Sequence, residues 1–191
     1  MREASCARET RETSVSVKLK LDGLGRSKIS TGISFLDHML ETMARHGRFD
    51  LEVKACGDLK HHVAEDVFIT FGEAMLKALG EKSDISRFGE AVVPMDEVLI
   101  LVALDLSGRP HFASNLKFSQ KKVEDLETGM IPHLLRTLSS SGRLTLHVWV
   151  MQEGEDHHKV EAAFKALGIA LSRAWSLRGG GIPSTKGTLN G

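Results

Sequence analysis

Apolar and polar residues alternate through residues 13–21, with Val15, Val17, Leu19 and Leu21 on one side, which predicts a strand half-buried against a core. Asp22-Gly23 then reads as a turn and residues 28–31 as a short second strand. Ser34 is placed to cap a helix from about Phe35 to Arg45, ended by Gly47. Residues 49–55 return to strand, Gly57-Asp58 supplies a turn, and residues 63–79 form a helix with Val67, Phe71, Ala74, Met75 and Ala78 near one face. The rest of the chain replays this order: strands over 97–106 and 111–116, a helix over 126–139, a strand over 144–151 and a helix over 158–175.

The replay extends to identities. Gly47-Arg48-Phe49-Asp50-Leu51-Glu52-Val53 matches Gly142-Arg143-Leu144-Thr145-Leu146-His147-Val148 at a spacing of 95 residues, and Gly72, Ala74 and Ala78 match Gly168, Ala170 and Ala174 at 96. His38 falls opposite His133. The expectation is an α+β chain built by internal duplication of a strand-strand-helix-strand-helix half, with room for one extra edge strand. Two mixed sheets would enclose the helices, because a half of this size has little core of its own. The halves divide at 1–86 and 87–191, together one compact catalytic unit.

Composition narrows the possibilities. Lysine plus arginine number 25, as do aspartate plus glutamate, so no global field favours nucleic acid or an acidic membrane. No apolar run reaches the length of a membrane span, and Arg2-Glu3-Ala4-Ser5 does not open a secretory signal. Two cysteines, Cys6 and Cys56, make no disulfide framework, which points to a reducing cytoplasm.

The chemistry is concentrated in a motif spelled twice, His61-His62-Val63-Ala64-Glu65 and His157-His158-Lys159-Val160-Glu161. Imidazole and carboxylate are the side chains that hold borderline divalent metals. On a helix, His61 and Glu65 share a face, whereas His62 diverges from His61 by about 100°. The same holds for His157, Glu161 and His158. Each ion is therefore expected to be gripped by one i,i+4 His/Glu pair and completed by a histidine from the other motif, with His38 and His133 as further ligands. His46, His111 and His147 lack repeated partners and read as ordinary polar residues. Arg87, Arg109 in Ser107-Gly108-Arg109-Pro110, and the hydroxyls, amides and ammonium of Ser184-Thr185-Lys186-Gly187 suit a small phosphorylated substrate. The glycine spacing of that last loop is not that of a Walker loop. A dinuclear metallohydrolase, or a metal-binding assembly without chemistry, would use the same ligands.

Longer motifs separate these alternatives. Arg8-Glu9-Thr10-Arg11-Glu12-Thr13, Gly32-Ile33-Ser34-Phe35-Leu36-Asp37-His38-Met39-Leu40 and His46-Gly47-Arg48-Phe49-Asp50-Leu51 accompany the two histidine helices. With Asp105-Leu106-Ser107-Gly108-Arg109-Pro110 and Pro183-Ser184-Thr185-Lys186-Gly187, the chain resembles the imidazoleglycerol-phosphate dehydratase family from Arg8 to Leu189. The resemblance implies a fold like ribosomal protein S5 domain 2, two Mn2+ per active site, and a homo-oligomer of 24 subunits with sites between subunits. It assigns one ion to His38, His62, His157 and Glu161, and the other to His61, Glu65, His133 and His158. The substrate would be held as an imidazolate between the ions, expel hydroxide through a diazafulvene-like state, and then lose a proton to give an enol that ketonises. Glu12 is the implied acid/base, with His38, Glu65 and Glu161 among the catalytic residues. Arg87, Arg109, Lys165, Ser184, Thr185 and Lys186 would hold the phosphate. One departure stands out: the approach Gly57-Asp58-Leu59-Lys60-His61 is about three residues shorter than the family pattern and puts Lys60 where an acid is usual, whereas Glu155-Asp156 keeps its acids.

Overall fold

The structure, a computed structural model, describes residues 2–189. Its first half runs β1 (Glu3–Glu9), β2 (Thr13–Lys20), β3 (Ser27–Ser30), α1 (Ser34–Gly47), β4 (Asp50–Gly57), α2 (Lys60–Leu79). The second runs β5 (Phe88–Met95), β6 (Val98–Asp105), β7 (His111–Ser114), β8 (Lys122–Val123), β9 (Leu126–Glu127), α3 (Met130–Ser141), β10 (Thr145–Gln152), α4 (Asp156–Trp175). The sheets have orders β1-β2-β4-β3 and β5-β6-β10-β7, with the last strand of each parallel to its neighbour and the others antiparallel. The chain is thus α+β with two mixed sheets, and both sheets carry the additional edge strand, β1 and β5.

Alternation on the central strands sets which face is buried. Thr13, Val15, Val17 and Leu19 of β2 point inward, as do Val98, Ile100, Val102 and Leu104 of β6. Helices α1 and α2 lie on the first inner face and α3 and α4 on the second. Across the middle, α1 packs on α4 and α2 on α3. Helices sandwiched this way bury more than one face. Accordingly α2 buries Ala64, Phe68 and Thr70 in addition to the stripe read from its sequence.

Both helix crossings are close, and glycine makes them so. A Cβ on Gly168 of α4 would lie 2.2 Å from the Met43 carbonyl oxygen of α1, and one on Gly47 would lie 2.6 Å from the Gly168 oxygen. At the other crossing, a Cβ on Gly72 of α2 would lie 2.1 Å from Ser141 Oγ and 2.7 Å from the Gly142 nitrogen. These are the glycines that the duplication repeats.

Strand register shows where the two copies diverge. Lys20 and Asp105, the ends of β2 and β6, are 85 residues apart, whereas their partners Asp50 and Thr145 are 95 apart. About ten residues have therefore been added between β7 and α3, and they contain the β8–β9 hairpin. A register shift between Val150 and Gln152 in β10 supplies the one further residue that makes the helix spacing 96.

The hairpin also accounts for two departures from the sequence reading. The helix expected from residue 126 begins at Met130, because Leu126 and Glu127 are paired in β9. Ser34 does not cap α1 with its side chain; Asp125 at the hairpin turn does the work, accepting the backbone N–H of Ser34 at 2.9 Å and of Phe35 at 3.0 Å.

Gly168→Ala should shift the thermal unfolding midpoint down, by an amount equivalent to about 1–3 kcal/mol of overpacking, despite alanine's better helix propensity. A second expectation concerns pH. Asp50 accepts the backbone N–H groups of Leu24 and Arg26 at 2.8 and 3.0 Å; burial pushes its carboxyl up, and these bonds outweigh that, leaving it below the ordinary aspartate value. A depressed folded pKa stabilises above the unfolded value, and the contribution is lost as pH falls through the folded one. The gap in melting temperature between wild type and Asp50→Asn should therefore stay constant from pH ~5 to ~8 and close below pH ~4.

Candidate functional site

Two corresponding sets of two histidines and a glutamate form where helices of different halves meet, and of these two sets the first alone has donor atoms all within 4.8 Å of one another. Between α2 and α3, His61 Nε2 is 3.7 Å and His133 Nε2 3.2 Å from the Glu65 carboxylate, and the two rings stack at 5.5 Å. Ligand atoms from these three residues all lie within 4.8 Å of one another. Between α4 and α1, His157 Nε2 is 3.3 Å and His38 Nε2 3.8 Å from Glu161 Oε2. The first residues of α2 and α4 supply the i,i+4 pair in each set, and α3 or α1 supplies the third ligand.

In all four histidines it is Nε2 that faces the carboxylate. His133 Nε2 is itself buried and has no hydrogen-bond partner, although the ring as a whole is 40% exposed. A buried polar atom left unsatisfied costs about 1–3 kcal/mol, and such an atom aimed at a carboxylate is one that a cation would satisfy. The donor sets therefore fit divalent metals: two imidazole nitrogens and a carboxylate, with open positions beyond them. Burial pushes the Glu161 carboxyl up, but Lys165, 3.0 Å away, brings it below the ordinary glutamate value.

The second histidine of each motif stands elsewhere. The rings of His61 and His62 meet at 86°, and those of His157 and His158 at 88°, with centroids 6.1 and 6.2 Å apart. His62 lies instead with Glu12 and Asp58, and His158 with Asp96 and Glu97. Within the chain the His61/Glu65 and His157/Glu161 pairs are joined by His133 and His38 respectively, rather than by a histidine of the other motif. The divergence of the adjacent pairs is the one expected from helix geometry.

Glu12, 3.7 Å from His62 Nδ1, lies on the loop before β2. The anion-handling residues are spread more widely. Arg87 gives Nε and Nη2 to Asp105 at 2.8 and 3.0 Å and Nη1 to the Pro183 carbonyl at 3.0 Å. It thereby fastens the loop carrying Ser184, Thr185 and Lys186, all half-buried or exposed, in which Ser184 Oγ accepts the Lys186 N–H at 3.2 Å. Arg109 is exposed in the β6–β7 loop, and Lys165 sits beside the second ligand set.

The acidic approach to the second motif has a different use from the one its sequence suggests. Asp156 is buried, takes the N–H groups of Ser119 and Gln120 at 2.8 Å each, and pairs with buried Lys159 at 2.8 Å. It anchors the 115–121 loop to α4 and makes no contact with an imidazole. At the matching position Lys60 reaches Asp125 Oδ2 at 3.2 Å, so it braces the hairpin turn that caps α1. The sequence reading passed over Asp125 because its partners are 90 and 65 residues away.

The geometry accords with comparisons to known proteins. The model of the imidazoleglycerol-phosphate dehydratase family matches residues 31–171. The chain belongs to that family. The imidazoleglycerol-phosphate dehydratase of Methanothermobacter thermautotrophicus is 50% identical over 192 residues, covering 99% of this chain and 98% of its own length. That of Methanocella arvoryzae is 51% identical, covering 99% of this chain and all of its own length. Among solved structures, the IGPD of Pyrococcus furiosus superposes with a TM-score of 0.85 at 34% identity, covering 96% of this chain and 99% of that one. The Staphylococcus aureus imidazoleglycerol-phosphate dehydratase gives 0.84 at 34%, covering 92% and 99%. The family is one of hydro-lyases, and no helix among the described residues is long and apolar enough to cross a membrane.

If both ligand sets bind metal, wild-type protein dialysed against Mn2+ should retain two ions per chain by elemental analysis. His133→Ala and Glu161→Gln should each lose one, with affinity lowered at least about 100-fold at the altered set. Two ions retained in either variant would remove that residue from the ligands.

Proposed function

We propose that the chain dehydrates imidazole glycerol phosphate to imidazole acetol phosphate and water, a step of histidine biosynthesis in the cytoplasm, using two Mn2+ per active site. The observation that carries this reading is the pair of duplicated His/His/Glu sets, each stopping one histidine short of the four-ligand set that the resemblance implies. In the proposed centre, His38, His157 and Glu161 take His62, and His61, Glu65 and His133 take His158. Because His62 and His158 stand apart from both sets within one chain, these fourth ligands come from other copies. A homo-oligomer with sites between subunits follows, for which 24 copies is the proposed number.

When bound, the two cations would stabilise the substrate ring as an imidazolate and so supply the electron density that drives off the neighbouring hydroxyl. The protein's own side chains do the rest. Glu12 travels with His62 into the site, where its exposed carboxylate takes or returns a proton on the glycerol side chain. The ammonium of Lys165 and the guanidinium of Arg109 bring charge to the phosphate. Arg87 has N–H groups left over after Asp105 and Pro183, and holds Ser184, Thr185 and Lys186 in position to donate to phosphate oxygens.

Incubation of the purified protein with Mn2+ and imidazole glycerol phosphate should yield imidazole acetol phosphate; release of free phosphate, or no product, would overturn the reading. Glu12→Gln should lower turnover by about 10²–10⁴-fold while leaving metal content intact. Loss of metal together with activity would make Glu12 a ligand or a structural residue.

A further inference from the structure

We infer that Asp58 and Glu97 are positioning residues that hold His62 and His158 as Nδ1–H tautomers, so that each presents Nε2 to a cation. The inference rests on the metal reading above and concerns carboxylates outside both ligand sets. Asp58 Oδ1 is 2.9 Å from His62 Nδ1. Both carboxylate oxygens of Glu97 are 3.3 Å from His158 Nδ1. An imidazole that donates Nδ1–H to a carboxylate has its lone pair on Nε2, the atom that the other four histidines turn toward Glu65 or Glu161.

An acid beside a surface histidine is common, but duplication makes these two informative. Glu97 immediately precedes β6 as Glu12 immediately precedes β2, so Glu97 corresponds to Glu12. Gly154 corresponds to Asp58, both lying three residues before the first histidine of their motif. Simple inheritance would therefore have left the same residue serving both histidines. Instead, the second half uses Glu97, in the turn between β5 and β6. Gly154 makes room for it, since a Cβ there would lie 2.4 Å from Glu97 Oε1, and the Glu155 N–H grips that oxygen at 2.7 Å. The first half uses Asp58, with its Oδ1 also accepting the Leu59 N–H at 2.7 Å. Non-equivalent residues have arrived at the same ring atom in both halves.

The exchange has a consequence for chemistry. With Asp58 on His62 Nδ1, Glu12 stays 3.7 Å away and 60% exposed, free of the orienting task that its counterpart Glu97 performs. Asp58 lies four residues, about one helical turn, before His62.

The test uses the full-length assembled protein and measures Mn2+ affinity by chelator competition, with the visible spectrum of the Co2+-loaded form as a second readout. Asp58→Ala should weaken one of the two ions by about 10–100-fold and alter its spectrum. Asp58→Asn keeps an acceptor oxygen in the same place and should restore most of that loss. Glu97→Ala should weaken the other ion, with Glu97→Gln as its rescue. The metal-free melting temperature of Asp58→Ala should move by no more than about 1–2 °C, as for an exposed side chain. Unchanged affinity in Asp58→Ala, an asparagine variant as weak as the alanine one, or a parallel fall in metal-free stability would each overturn the inference. Failure of wild type to hold two Mn2+ per chain would instead bring down the metal reading itself.

Discussion

The approach of helix backbones at Gly168 and Gly72 is the constraint on which the site depends. Each ligand set takes two residues from one helix and the third from a helix of the other half, so the distance between their donors is the distance between those helices. At both crossings a single methyl group would meet a main-chain atom within 3 Å, and main chain cannot rotate out of the way as a side chain can. Side chains of His, His and Glu are short enough that a separation enlarged by an ångström would pull the third histidine away from the carboxylate it faces. Packing and ligand geometry are therefore set by the same glycines.

The same constraint explains why neither half could suffice. A half-repeat has one His/Glu pair on its last helix and one further histidine facing such a pair, His38 or His133, on its first, but within the half those helices sit side by side on a sheet. Only when α1 meets α4 and α2 meets α3 do pair and further histidine face each other, and then two sets appear at once. After duplication the halves were free to diverge where the sets did not depend on them. The second gained the β8–β9 hairpin, whose Asp125 caps α1 and pairs with Lys60, binding the start of both first-half helices to the second half.

Most of the architecture was legible in the sequence because its signals are local. Alternation marked β2, Gly47 marked the end of α1, the repeated identities marked the duplication, and spacing within each motif separated the adjacent histidines. What escaped is long-range. A reading of residues 126–129 in isolation sees the start of a helix, because the hairpin is held by contacts with α1 and Lys60 that lie far off in sequence. Asp156 looked like a companion of the histidines because it is next to them, yet on a helix the neighbouring side chain points elsewhere, here into a buried pair with Lys159. Asp58 and Glu97 were passed over for the opposite reason: the histidines they touch are one turn away or on another element.

Adjacent histidines on a helix also carry an implication for assembly. With rings at nearly a right angle, His61 and His62 serve different directions, and His157 and His158 do the same. A chain that used both members of each pair for one centre would have to distort the first turn of α2 or α4. If each second histidine instead completes a set on another copy, the helices stay regular and the strain disappears. Metal binding and association then become linked equilibria, since a cation held by groups from separate copies stabilises their contact by its own binding free energy. The sequence feature that makes each set incomplete within one chain is, on this reading, the feature that joins the chains.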